Sequence, residues 1–202
     1  MGTIRAFDLK EYITKYDLKN FIETGTYYGD GVAYAAQFPF KQIISFEIEP
    51  SLFDHCEKRF KDDERIEIIL GDSSTKLEEI LTTNELNDNC LFFLDAHFPG
   101  ADANLAEYNA EKQDDKRLPL KNELIAISKR KNNDVIIIDD LRLFENCANI
   151  KSVDQHLKDI GKGHISVHEL VHFDLFSIIA SFLPEYRLTR VYRDEGYLIL
   201  EK

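Results

Sequence analysis

The chain has 202 residues, 44% of them hydrophobic and 31% charged, which suits one globular domain, residues 1–202, with a full core. Its formal net charge of −12 argues against a nucleic-acid groove or an anionic membrane surface, since either partner would be repelled over most of the surface. No apolar run is long enough to cross a bilayer and no N-terminal run precedes a small-residue cleavage site, so a cytoplasmic location is expected.

The first strong signal is NFIETGTYYGDG at residues 20–31, which reads as a short buried strand breaking into a glycine turn and a helix from Gly31 to Gln37. QIISFEIE follows as a second strand, Pro50 sits where a first helical turn tolerates proline, and SLFDHCEKRF has helical spacing. IEIILGD predicts the third strand, with Ser73 or Ser74 capping the helix TKLEEIL. CLFFLDAH and DVIIIDD supply the fourth and fifth strands, and their near-continuous apolar character points to central parallel strands covered on both faces. Between them PLKNELIAISKRK reads as a helix with an early glutamate and late basic residues, matching the helix dipole. Further helices are expected near residues 150–160 and 167–182, and RLTRVYRD, Glu195-Gly196 and YLILEK predict an antiparallel hairpin. Five strand and helix units closed by a hairpin make an α/β three-layer sandwich.

Residues 98–117 do not fit this pattern. They combine dense charge with few large apolar residues, which suits a lid or substrate loop, or else an irregular insertion. Cys56, Cys90 and Cys147 are odd in number and widely spaced, so reduced structural thiols are expected. His164, His168 and His172 share a helical spacing that reads as a surface stripe, with metal binding as the alternative.

Parallel strands would bring the loops after the first, fourth and fifth strands to one sheet edge. Gly25, Gly29 and Gly31 follow a GxxxGxG spacing, which is not the GxGxxG dinucleotide fingerprint. Glu47, ending the second strand, can accept both hydroxyls of a ribose, and Asp72 adds an acceptor where an adenine amino group is read. Glu23 and Asp30 beside the glycines are unfavourable to a pyrophosphate, so an acidic pocket suits the ammonium and sulfonium of S-adenosylmethionine better than NAD or ATP. Asp95, Asp139 and Asp140 are oxygen ligands suited to Mg2+ or another divalent cation; the alternative has the Asp139-Asp140 pair capping the next helix. His97, with an ordinary pKa near ~6.5, fits a general base.

The order ETGTYYGDG, ISFEIEP, LGDSS, FLDAH, IIIDD and a terminal hairpin resembles the class I S-adenosylmethionine-dependent methyltransferases, most of all the metal-dependent sugar and small-molecule O-methyltransferases of the macrocin type. The resemblance runs over roughly residues 19–200, with the glycine loop and the acidic strand ends as its specific part. It implies a Rossmann-like, mostly parallel seven-stranded sheet with an antiparallel C-terminal strand. It also implies methyl transfer to a small hydroxylated acceptor such as a sugar or glycan precursor. Residues matching Glu23 and Gly25 would hold the methionine moiety, Glu47 the ribose, and Asp72 would lie by the adenine. The expected cofactor set is completed by Thr24, Tyr28, Gly29, Ile48, Ser73 and Asp95, with Asp95 and His97 as catalytic residues. The loop departs from the family's commonest form, which has a further glycine where Tyr27 stands. A homodimer through C-terminal helices is expected as a possibility, and the competing readings are an NAD-dependent oxidoreductase or a non-catalytic adenosine-ligand-binding protein.

Overall fold

A computed structural model describes residues 3–83, 86–108, 110–145 and 171–202. The helix expected near residues 150–160, together with Cys147, His164 and His168, lies outside the described residues. Among the described residues no helix is long and apolar enough to cross a membrane. Cys56 and Cys90 are buried and free.

The strands are β1 (Asn20–Thr24), β2 (Gln42–Glu47), β3 (Ile66–Leu70), β4 (Cys90–Leu94), β5 (Val135–Ile138), β6 (Arg187–Val191) and β7 (Tyr197–Glu201). They form one seven-stranded sheet in the order β3-β2-β1-β4-β5-β7-β6. β1 to β5 run parallel, and β7 is antiparallel to both β5 and β6. This is the mostly parallel sheet with a reversed C-terminal strand that the resemblance implies. All residues of β1, β4 and β5 are buried, because consecutive side chains enter two different cores. Ile22, Phe92, Ile136 and Ile138 point into one, while Phe21, Leu91, Phe93, Val135 and Ile137 point into the other.

The first core is covered by α4 (Ser73–Thr83), α6 (Leu120–Ser128) and α7 (Leu175–Phe182), through Leu77, Leu124 and Ile179 among others. The second is covered by α1 (Leu9–Tyr16), α2 (Asp30–Ala35) and α3 (Pro50–Phe60), through Leu9, Val32, Ala35 and Cys56. Two helical layers around one sheet complete the three-layer sandwich. Truncating a side chain from the centre, such as Phe92→Ala, removes a fully buried ring and costs about 3–5 kcal/mol.

Local chemistry explains where the helices start. Asp72, rather than Ser73 or Ser74, caps α4, its Oδ1 accepting the Ser74 amide at 2.9 Å. Asp174 caps α7 by accepting the amides of Phe176 and Ser177 at 3.0 and 3.3 Å. The described helix therefore begins at Leu175, and His172 precedes it instead of extending a helical stripe. α1 is an element the expected series lacks, although Leu9, Tyr12, Ile13 and Tyr16 follow helical spacing and Asp8 caps it. α5 (Asp114–Arg117) is one helical turn inside the segment 98–117.

The hairpin contributes to more than the sheet edge. Its turn docks on the short 3-10 segment Leu141–Leu143 after β5, where the amides of Leu141 and Arg142 donate to the carbonyls of Gly196 and Glu195 at 2.9 and 3.2 Å. That contact carries Glu195 and Arg142 to the C-terminal edge of the parallel strands.

Candidate active site

At that edge lies a cavity of about 360 Å³. Of the residues singled out in the sequence, Glu23, Gly25, Glu47, Ile48, Asp72, Ser73, Asp95, His97 and Asp140 line it. Thr24 is fully buried within β1, Gly29 packs toward Phe60 and Cys56, and Tyr28 is 43% exposed with its ring against His55. Those three, and Asp139, stand off the cavity wall.

One end of the cavity is built by the β1 turn and the end of β2. Gly25 has φ +83°, and a Cβ there would come within 3.0 Å of the Asp95 carbonyl oxygen, so glycine lets β1 and β4 close together. At Gly31 a Cβ would lie 1.9 Å from Glu23 Oε1, and its absence leaves the room that the Glu23 carboxyl occupies. Glu23 accepts a 2.7 Å hydrogen bond from Ser45 Oγ, which is in turn 2.7 Å from Thr26 Oγ1. Burial pushes the Glu23 carboxyl up to about 8, against the smaller opposing effect of Ser45. Asp30 is largely exposed and paired with Arg59 at 2.9 Å and Arg5 at 3.2 Å. The glycine turn thus carries less net negative charge than its sequence suggests.

Glu47 is 5% exposed, and each of its oxygens accepts one backbone amide, from Tyr27 at 2.7 Å and from Glu49 at 2.9 Å. Burial still raises its pKa beyond what these amides offset. Each carboxylate oxygen keeps an acceptor site for a ligand hydroxyl. Tyr27 holds the left-handed conformation, φ 53°, which costs a non-glycine residue roughly 1 kcal/mol or more.

The other end is built by the loops after β4 and β5. Ligand atoms of Asp95, His97 and Asp140 all lie within 4.8 Å of one another. Asp139, expected with Asp95 and Asp140 as a metal ligand, is not brought into this trio. Its Oδ1 accepts the Asp140 amide at 2.7 Å, and the residue lines a small void behind the site. β5 ends at Ile138 and Asp140 then turns left-handed at φ 55°, which separates its side chain from that of Asp139.

His97 differs from expectation in its proton chemistry. Its Nδ1 lies 3.0 Å from the Asp95 carbonyl, which only an N–H can satisfy, and its Nε2 lies 2.5 Å from Asp140 Oδ2. Burial alone would lower its pKa, but Asp140 overrides this and holds it at about 10, so the ordinary value near ~6.5 does not apply. Asp140 shows the reciprocal effect: burial would raise it, yet His97 and Arg142 bring it below the usual carboxylate range. Arg142 Nε sits 2.6 Å from Asp140 Oδ1, off the hydrogen-bond axis, so this is a charge contact. Asp95 and Asp139 are pushed well above the ordinary range, first by burial and then by neighbouring carboxylates.

Segment 98–117 forms part of the wall through Pro99, Gly100, Asp102, Ala103 and Lys116. Phe98, Ala101 and Tyr108 of this segment pack with Leu118 and Leu143 in a small core of their own. Sequence reasoning missed Arg142 and Glu195 as parts of the site, because only the hairpin docking brings them together. It also missed Glu123, which lines the small void behind the site, is 1% exposed and accepts from Ser73 Oγ at 2.6 Å. The signal available for Glu123 was its place on the apolar face of α6.

No protein-family model and no curated protein matches the chain. Solved structures do. An O-methyltransferase from Bacillus cereus in complex with SAH is similar at a TM-score of 0.58 and 15% identity, over 96% of this chain and 79% of that one. A SAM-dependent methyltransferase from Anabaena variabilis is similar at 0.55 and 14% identity, over 98% and 83%. The N-methyltransferase NodS from Bradyrhizobium japonicum is similar at 0.50 and 14% identity, over 95% and 89%. The chain thus has the Rossmann-like methyltransferase fold. That fold hosts both oxygen and nitrogen acceptors among these proteins, so it does not choose the acceptor atom.

Proposed function

We propose that this chain is an S-adenosylmethionine-dependent O-methyltransferase acting on a small hydroxylated acceptor, such as a sugar or glycan precursor. The observation that carries the reading is Glu23. It is a buried carboxyl at the floor of the glycine turn, partnered by a hydroxyl and by no cationic side chain among the described residues. A ligand ammonium supplies the missing charge, whereas the pyrophosphate of NAD would add to the negative side.

Glu47 would orient the ribose through its two remaining acceptor sites, and Asp72, fixed as the cap of α4, would face the adenine end. The reacting end fits a divalent cation, because the hard oxygen donors of Asp95 and Asp140 converge there beside the His97 ring. Asp95 and Asp140 would hold it, with Asp139 behind them, and His97 would join them only once its Nε2 proton is lost. Such a cation supplies charge that lowers the pKa of a nearby hydroxyl. The chain's own groups do the rest: the strand ends align the acceptor oxygen with the methyl donor, and segment 98–117 excludes water. While Asp140 faces it, His97 keeps its proton and offers positive charge to a developing alkoxide. It acts as base only where another partner neutralises Asp140.

Calorimetry with SAH and with NAD tests the cofactor, and SAH is expected to bind while NAD does not. Screening sugars, nucleotide sugars and catechols with labelled cofactor, with and without EDTA, then tests acceptor and cation. Loss of turnover in EDTA is expected, and full activity in chelator would remove the cation from the reading.

A further inference from the structure

The two backbone amides that hold Glu47 belong to Tyr27 and Glu49, and both of these residues also meet segment 98–117. The Tyr27 hydroxyl donates a long, 3.4 Å hydrogen bond to the Asp102 carbonyl. Gly100 lies so close to Glu49 that a Cβ on it would be 3.1 Å from Glu49 Oε1. Asp102 is tied inward as well, because its carboxylate accepts the Tyr108 hydroxyl, and the Tyr108 ring packs edge-on against Phe98 at 5.6 Å. The Phe98 amide donates to the Arg117 carbonyl at 2.8 Å and closes the base of the segment. A continuous path therefore runs from the Glu47 carboxylate, through Tyr27, to the centre of the wall segment's own small core.

Tyr27 is an unexpected residue at its position. A φ of 53° is the conformation that glycine adopts without cost, and a tyrosine there is held both through its backbone, by Glu47 and Cys56, and through what its side chain reaches. It reaches Asp102. We propose that Tyr27 is a positioning residue that clamps segment 98–108 over the Glu47 end of the cavity, so that filling this end and ordering the segment are one event. The ligand half of this inference rests on the methyltransferase reading; the clamp itself does not.

Hydrogen exchange of peptides within residues 98–108 reads the clamp directly, in wild type, Tyr27→Phe and Tyr27→Gly. Both variants keep the amide that holds Glu47, and Tyr27→Gly also relieves the backbone, so neither is expected to compromise folding. Without ligand, exchange in the segment is expected to be several-fold faster in both variants than in wild type. With saturating SAH, exchange in wild type is expected to slow by about fivefold, the worth of one hydrogen bond, and in Tyr27→Phe by less than about twofold. Equal exchange in all three proteins without ligand would overturn the clamp. If calorimetry shows SAH binding while the wild-type segment gains no protection, the coupling is overturned and the methyltransferase reading stands. If calorimetry shows no SAH binding, that reading falls and the ligand-free comparison still decides the clamp.

Discussion

The two ends of the cavity bury carboxylates by different means. At the β1 and β2 end, Glu23 and Glu47 are held by neutral donors, a serine hydroxyl and two backbone amides. At the β4 and β5 end, Asp140 is held by formal cations, His97 and Arg142, while Asp95 and Asp139 stay shifted by burial and mutual repulsion. Neutral donors keep one geometry whatever charge arrives, which suits a binding site that must present fixed acceptors. Charged partners respond to each other's protonation, which suits the place where a proton has to move.

The sharpest way to break this contrast is at the responsive end. His97→Ala is expected to lower turnover by ~10² to 10⁴-fold once an acceptor is known, while SAH affinity measured by calorimetry stays nearly unchanged. Comparable loss of affinity would mean that the two ends are not separable. Asp140→Asn sharpens the same point without needing an acceptor. Removing the counter-charge should bring the His97 pKa down from about 10 to near ~6.5 or below, followed by NMR titration of its ring. A value that stays near 10 would assign the shift to other groups.

At the neutral-donor end, Glu47→Ala is expected to weaken SAH binding by roughly 1–3 kcal/mol, from loss of a charged acceptor, with turnover at saturation little changed. A further effect at this end concerns pH. Glu23 is protonated below about 8 in the free protein, and an ammonium ligand requires it ionised. SAH affinity should therefore fall as pH drops from 7.5 to 6, by up to about tenfold per unit, and Glu23→Gln should flatten that slope. The folded-state pKa is raised above the unfolded one, so Glu23 favours the free protein's stability in mild acid, and that contribution is lost as pH rises through about 8. Thermal melts of wild type and Glu23→Gln across pH 5 to 8 check the sign.

The sequence made the neutral-donor end far more legible than the responsive one. Apolar runs such as CLFFL and VIII define central strands, and Glu23, Gly25 and Glu47 sit at or beside strand ends where their direction follows from local structure. Asp95 and His97 were legible as residues, but the His97 pKa was not, because it depends on an Asp140 oxygen brought within 2.5 Å by the pairing of β4 with β5. Choosing between Asp139 and Asp140 required the backbone after β5, where Asp140 turns left-handed at φ 55°. Arg142 and Glu195 are joined only through a docked hairpin, and no local periodicity encodes that contact. The cap of α4 shows the same limit at short range: Asp, Ser and Ser in succession are all good caps, and geometry selects the first.

The docking of the hairpin turn on residues 141–143 also sets an order of assembly. β1, β2 and β3 are consecutive in the chain, with close neighbours in sequence pairing in space, so the Glu47 end can form from the first third of the polypeptide. The acidic end cannot be finished so early. β7 must insert between β5 and β6 before Glu195 reaches Arg142, and those strands are separated by a long stretch of sequence. Pulse-labelled exchange during refolding is expected to protect β1 to β3 ahead of β5 and β7. On the proposed reading, a newly made chain would thus set the strand ends that carry Glu23 and Glu47 before the acidic end is complete.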